Sequence, residues 1–271
     1  MLFERIAIAL LLLPFGIWVI GAGGWLFTIM IAVILCLAAY EYALLFRRQG
    51  FRPAASLLVL AVLALVVARK LNNFENDAAL LAMIALLSMT WHAIDFERGA
   101  PHAGTDFALT LAGILYIGWL GSFFISLRQM PDGVWWFMTA LPAVWLADSA
   151  AYSFGKRFGR HRLAPRLSPN KTWEGYISGV IVGPFLALGM LRLWQFGAGP
   201  DSTLNLARGL VVGVVVAMLA PIGDLGISML KRQFGVKDTG SLLPGHGGAL
   251  DRIDSWVWAA VLGYFIVTWL T

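Results

Sequence analysis

Trp25-Leu-Phe-Thr-Ile-Met-Ile-Ala-Val-Ile-Leu-Cys-Leu-Ala-Ala-Tyr-Glu-Tyr-Ala-Leu-Leu-Phe46 runs for 22 residues with one charge, Glu41. A helix of about 20 apolar residues crosses the roughly 30 Å hydrocarbon core of a bilayer. The run is continuously apolar rather than alternating, so it reads as a helix and not as a barrel strand. Working outward, similar runs lie at about 5–21, 54–69, 77–94, 106–127, 133–154, 175–195, 207–230 and 250–270. The expected fold is therefore all-α: a polytopic integral membrane protein with about nine transmembrane helices.

Composition agrees. Of 271 residues, 59% are hydrophobic and 13% charged, and mean hydropathy is +0.77. Soluble domains average about 25% charged residues. Arg5 ahead of the first apolar run resembles a signal-peptide start, but no small-residue cleavage site stands out. A retained span followed by a tight turn at Gly21-Ala-Gly-Gly24 is expected instead. The single cysteine, Cys36, excludes an intramolecular disulfide and a cysteine-based zinc site.

The net charge of +5 would suggest nucleic acid in a soluble protein. In a membrane protein it follows from Lys and Arg gathering in cytoplasmic loops, and no nucleic-acid partner is expected. Acidic lipid headgroups and a polyphosphate substrate suit the charge. With nine spans and the N-terminus inside, fifteen of the 20 basic residues fall on the cytoplasmic side. Only Arg69, Lys70, Arg128, Arg192 and Arg208 fall outside. The polar loops 155–174 and 231–249 then share the cytoplasmic side. Residues 1–130 read as N-terminal transmembrane helices, and 131–271 as the catalytic part of one membrane domain. Glu41, His92, Asp95 and His102 sit near span ends, where solvation accounts for them, although Glu41 lies deep enough to line a cavity.

An ionised carboxylate near the bilayer centre costs about 2.5–3.5 kcal/mol on insertion scales, so it needs a partner or an ion. Asp148 and Asp224 lie within spans but near their cytoplasmic ends, where a smaller share of that cost still calls for a partner. Asp224, Ser228 and Lys231 share one helical face, as a metal-and-phosphate row or as an internal hydrogen-bonded stripe. After Lys231-Arg232 come Lys237-Asp238, Gly240 and Pro244-Gly-His-Gly-Gly248, a glycine pattern that lets backbone N–H groups approach an anion. Asp251 and Asp254 then lie on one face of the last helix, although acids in a first turn also suit the helix dipole. Mg²⁺ takes oxygen ligands and shares its shell with substrate phosphates, which Asp224, Asp251 and Asp254 suit. Lys231, Arg232, Lys237 and Arg252 would neutralise phosphate charge. His246 is either a phosphate contact, a proton donor or a turn residue. The earlier loop ends in Ser168-Pro-Asn170-Lys171-Thr-Trp-Glu174, which offers hydroxyl, amide, ammonium and carboxylate groups before a span.

The stretch from Ser228 to Asp254 resembles the signature of the phosphatidate cytidylyltransferase (CDP-diacylglycerol synthase) family. Ser228, Lys231, Arg232, Lys237, Asp238, Gly240, Pro244, His246, Gly247, Gly248, Asp251, Arg252 and Asp254 are in register, while Ala249 replaces a usually larger aliphatic residue. Asp148-Ser149 and Ser168-Pro-Asn-Lys-Thr-Trp-Glu174 also look like family features. The resemblance covers the C-terminal half strongly and the N-terminal half only through its spans. It implies that CTP and phosphatidate give CDP-diacylglycerol and pyrophosphate with Mg²⁺. Fitted to that chemistry, Asp224, Lys231, Asp251 and Asp254 would take the catalytic roles, with Asp224, Asp251 and Asp254 as metal ligands. Asp148, Ser168, Asn170, Lys171, Ser228, Arg232, Lys237, Asp238, His246, Gly247, Gly248 and Arg252 are assigned to substrate. Expected surroundings are membrane lipid and an inner cell membrane, with the site facing the cytoplasm; a homodimer is compatible with the sequence. A transporter would place charges near the midplane and show related halves, neither of which is evident. A CDP-alcohol phosphotransferase would carry Asp-x-x-Asp-Gly, which is missing.

Overall fold

In hydrocarbon the backbone has no water to pair with, so each apolar run must satisfy its own N–H and C=O groups by coiling into a helix. The computed structural model describes residues 13–73, 75, 77–240 and 247–270. In chain order the helices are α1 (Leu13–Ala22), α2 (Gly24–Arg47), α3 (Ala55–Asn72) and α4 (Asp77–Glu97). Next are α5 (Ala103–Gly113), a π-helical segment (Ile114–Leu120) and α6 (Phe123–Gln129). After α7 (Gly133–Phe158) the chain forms two short strands, β1 (Arg162–Ala164) and β2 (Ser168–Thr172). It closes with α8 (Trp173–Ala198), α9 (Leu206–Leu219), α10 (Pro221–Gln233) and α11 (Leu250–Leu270).

Among the described residues, seven helical segments are long and apolar enough to cross a membrane: α2, α3, α4, α5 through α6, α8, α9 through α10, and α11. Helix α7 fills the expected sixth span over 26 residues, but Asp148, Ser149, Ser153, Lys156 and Arg157 dilute its apolar character and it is not one of the seven. The expected first span starts outside the described residues. Its described part, α1, is ten residues long.

The loop expected at 155–174 is locally ordered. β1 and β2 pair antiparallel, Arg162 opposite Thr172 and Ala164 opposite Ser168, with an irregularity between. The span expected at 207–230 is two helices, because Pro221 opens α10. Proline lacks the N–H that would continue α9 and its ring crowds the preceding turn, whereas a first helical position suits it. Asp224 is thereby placed in the first turn of α10, where the N-terminal end of the helix dipole favours an acid.

The chain forms two compact units. The first comprises the chain as far as Ser126 together with Val236–Arg252, and the second comprises Leu127–Gly235 and Ile253–Thr271. In the first, α2 packs along α3, and α3 against the π-helical segment. Arg69, wholly buried, pairs with Asp77 at 2.7 Å, and its Nε donates to Ser122 Oγ at 2.9 Å. In the second, α7, α8 and α9 pack on one another. A Cβ on Gly179 would stand 2.8 Å from the Ala147 carbonyl, and one on Gly183 would stand 2.9 Å from Ala147 Cα. Small residues at this spacing let two membrane helices approach closely, which fixes the part of α7 that carries Asp148.

Candidate active site

In the second unit, the hairpin and the start of α8 are locked together by their own hydrogen bonds. Thr172 caps α8 by accepting from the Gly175 amide at 3.2 Å. Glu174 turns back to His161, reaching its Nδ1 at 2.6 Å and its amide at 3.2 Å. Lys171 is the residue just before this cap. Its Nζ lies 2.5 Å from Asp224 Oδ2, with both side chains about 30% exposed (28% and 31%). Asp148, solvent-accessible on α7, interacts electrostatically with both Lys171 and Asp224. Two acids and a lysine from three separate elements thus form one charged cluster.

Helix α10 extends the cluster. Ser228, buried, has its Oγ at 3.5 Å from Asp224 Oδ1, the long limit of a hydrogen bond. Lys231 follows on the same face, in the last turn. Arg232 Nε donates to the Leu167 carbonyl at 3.2 Å, fastening α10 to the hairpin turn. Gly223 lies against the Asp254 carbonyl, where any Cβ would collide. Asp254 itself is buried, and its Oδ1 accepts from the Ser255 amide at 2.6 Å. Ser168 is partly buried on β2 and Asn170 is exposed there.

The first unit carries the glycine-rich segment. Asp251, in the first turn of α11, collects three donors on one oxygen. Its Oδ2 accepts from the Thr239 amide at 2.8 Å, the Thr239 hydroxyl at 2.9 Å and the Gly248 amide at 3.1 Å. Gly247 has φ +79°, and a Cβ there would stand 3.1 Å from Asp251 Oδ2 and 3.5 Å from Asp238 Oδ1. The Asp238 side chain therefore faces the same turn. Lys237, Asp238 and Arg252 are exposed. His246 lies outside the described residues.

Sequence reasoning set Asp224 and Ser228 on one helical face and named Asp148 and Lys171 separately as substrate residues; the structure brings the four together within the second unit. It read the glycines as a ligand cradle, whereas the Gly248 amide is already engaged by Asp251. Two residues carry more of the architecture than their sequence context suggested. Thr239 is buried and joined to Asp251. Glu41 is buried against Gly240, Gly248 and the Leu250 amide. The available signal for Glu41 was its position as the lone charge in a 22-residue apolar run. Among the described residues, no three His, Cys, Asp or Glu side chains are gathered in a metal-binding group. Mg²⁺ uses one or two carboxylates and completes its shell with water and substrate phosphate, so such a group is not a requirement for it.

Chemically, the second unit presents ammonium and carboxylate groups next to a hydroxyl, and the first presents a tightly turned backbone held by a carboxylate. Both suit a polyphosphate substrate better than an acid–base reaction on carbon.

Comparison with known proteins agrees. A protein from Synechocystis named phosphatidate cytidylyltransferase is 32% identical over 294 residues, covering 98% of this chain and 97% of its own. A protein of the same name from Staphylococcus haemolyticus is 34% identical over 205 residues, covering 75% of each chain. Another from Staphylococcus epidermidis is 31% identical over 241 residues, covering 88% of this chain and 89% of its own. The description "Cytidylyltransferase family" matches residues 3–270. Over essentially its whole length, the chain belongs to the cytidylyltransferase family.

Proposed function

We propose that this protein transfers CMP from CTP to phosphatidate, giving CDP-diacylglycerol and pyrophosphate for phospholipid synthesis. The observation that carries this reading is the nearly end-to-end likeness to a protein named phosphatidate cytidylyltransferase. The charged cluster and the glycine-rich segment give it a chemical basis.

In the reaction a phosphate oxygen of the lipid attacks the α-phosphorus of CTP. The bond from that phosphorus to the bridging oxygen breaks, and pyrophosphate departs with the electron pair. No covalent enzyme intermediate is required. Phosphoryl-type transfer rests on positioning and charge neutralisation. Lys171, Lys231, Arg232, Lys237 and Arg252 supply positive charge for phosphate oxygens. Ser228, Ser168, Asn170 and the exposed Asp238 offer polar contacts to nucleotide or headgroup, and Asp148 and Asp224 hold Lys171 in place. Carboxylates from the set Asp224, Asp251 and Asp254 would hold Mg²⁺, which when bound neutralises charge building up on the phosphate oxygens. Helix ends that carry these groups face the cytoplasm, where CTP is found, and the apolar helices give the lipid a lateral approach. Within the glycine-rich segment, the Gly248 amide orients Asp251 rather than contacting triphosphate.

Purified protein in detergent with CTP, Mg²⁺ and phosphatidate should release pyrophosphate. Repeating the assay with dCTP, UTP and ATP tests nucleotide choice. Release that does not depend on CTP would overturn the assignment.

A further inference from the structure

Glu41 is placed where a transmembrane helix has little use for a carboxylate. It lies in α2, is 5% exposed, and packs on residues about 200 positions later in the chain. Its Oε2 accepts from the Leu250 amide, the first residue of α11, at 3.0 Å. The same oxygen is 3.4 Å from the Thr239 hydroxyl. That hydroxyl has one proton to give, and its shorter contact, 2.9 Å, is to Asp251. A Cβ on Gly240 would collide with Glu41 Oε1, and one on Gly248 with Glu41 Oε2. The carboxylate is therefore wedged between the two arms of the glycine-rich segment. Among the described residues its Oε1 has no hydrogen-bond partner.

A buried carboxylate with an unpaired oxygen is costly, and a leucine in its place would suit the helix and the membrane better. What it gains is local. It fixes the amide that opens α11, one residue before Asp251, and bears on Thr239, whose amide and hydroxyl both hold Asp251. We propose that Glu41 is a positioning residue for nucleotidyl transfer, setting the orientation of Asp251 by clamping Thr239–Gly240 and Gly248–Leu250 together. This rests on the reading of Asp251 as part of the transfer machinery. It also accounts for glycine at positions 240 and 248 by packing against Glu41.

The test compares Glu41→Leu, Glu41→Ala and Glu41→Gln in the full-length protein, with steady-state kinetics and amide hydrogen exchange. Leucine removes the acceptor while raising the apolarity of α2, so failure to insert is not the expected result. Misplacing a reacting group by about 1 Å can cost about 100-fold in rate, so the Leu and Ala variants should lose about 100-fold in kcat. KM for CTP should shift less than about threefold, because the loss falls on the transition state. The Gln variant keeps an acceptor oxygen and should stay within about tenfold of wild type. In the Leu and Ala variants the Thr239, Gly248 and Leu250 amides should exchange faster, while those of α3 and α8 are unchanged. Wild-type kcat in Glu41→Leu would overturn the proposal, as would a uniform loss of protection throughout the chain. A wild-type protein inactive with CTP and phosphatidate would instead remove the functional reading, and the exchange data would still report whether Glu41 clamps the segment.

Discussion

Deleting Lys171 should harm the protein more than deleting the acid it pairs with. The Lys171–Asp224 contact is 2.5 Å long, and each side chain is about 30% exposed (28% and 31%). Exposed ion pairs couple by about 0.2–1 kcal/mol, whereas hydrogen bonds to charged groups contribute about 1.5–3 kcal/mol net. Partial shielding puts this pair between the two ranges, at about 1.2 kcal/mol. Asp148 breaks the symmetry, since it is attracted to Lys171 and repelled by Asp224. Lys171→Ala leaves two acids facing each other, and Asp224→Ala leaves one acid with its cation. The first should therefore be the more destabilising, by roughly 0.5 kcal/mol if a like-charge contact is worth what an exposed pair is. The assay is a double-mutant cycle: unfolding of wild type, both single variants and the double variant in mild detergent. Additivity within about 0.3 kcal/mol, or a larger loss in Asp224→Ala, would show that Lys171 does not hold the two acids together.

Other outcomes follow from the same structure. Asp251→Asn removes the charge that organises three donors, and turnover should fall at least about 100-fold while the protein remains folded in the membrane; near-normal turnover would remove Asp251 from the machinery. Arg69→Ala leaves Asp77 without its cation and should cost about 3 kcal/mol of stability, measured by detergent unfolding, with little effect on KM for CTP. Cytoplasmic orientation predicts that Gln233→Cys, in a Cys36→Ala background, is labelled by an impermeant thiol reagent only after the inner face is exposed. Labelling of intact cells would reverse the topology.

The transmembrane helices were legible because roughly 20 apolar residues in a row admit one backbone solution in lipid. The Pro221 break was present in the sequence but hidden inside an otherwise continuous apolar run, so α9 and α10 read as one span. The hairpin of Arg162–Ala164 and Ser168–Thr172 was not legible. Its strands are three and five residues long, too short for alternation to register, and Pro169 argues against a strand. The acids and cations of the candidate site were legible as types, since charge near a membrane core demands a reason. Their partners were not. Lys171 meets Asp224 and Glu41 meets Leu250 through tertiary contacts, the latter across 209 positions, and no local pattern encodes such pairings. Glu41 illustrates the gap: span-end solvation is the natural reading of a lone acid near the end of an apolar run, and only the packing of Gly240 and Gly248 against it shows otherwise.

In the proposed reaction a lipid phosphate attacks the α-phosphorus of CTP. It is tested most directly by incubating the purified protein with phosphatidate, Mg²⁺ and CTP labelled either at the α- or at the γ-phosphate. The expected result is α-label in the organic-soluble lipid, γ-label in aqueous pyrophosphate, and equal amounts of the two. γ-label in the lipid, or α-label that stays in water while pyrophosphate is released, would contradict it.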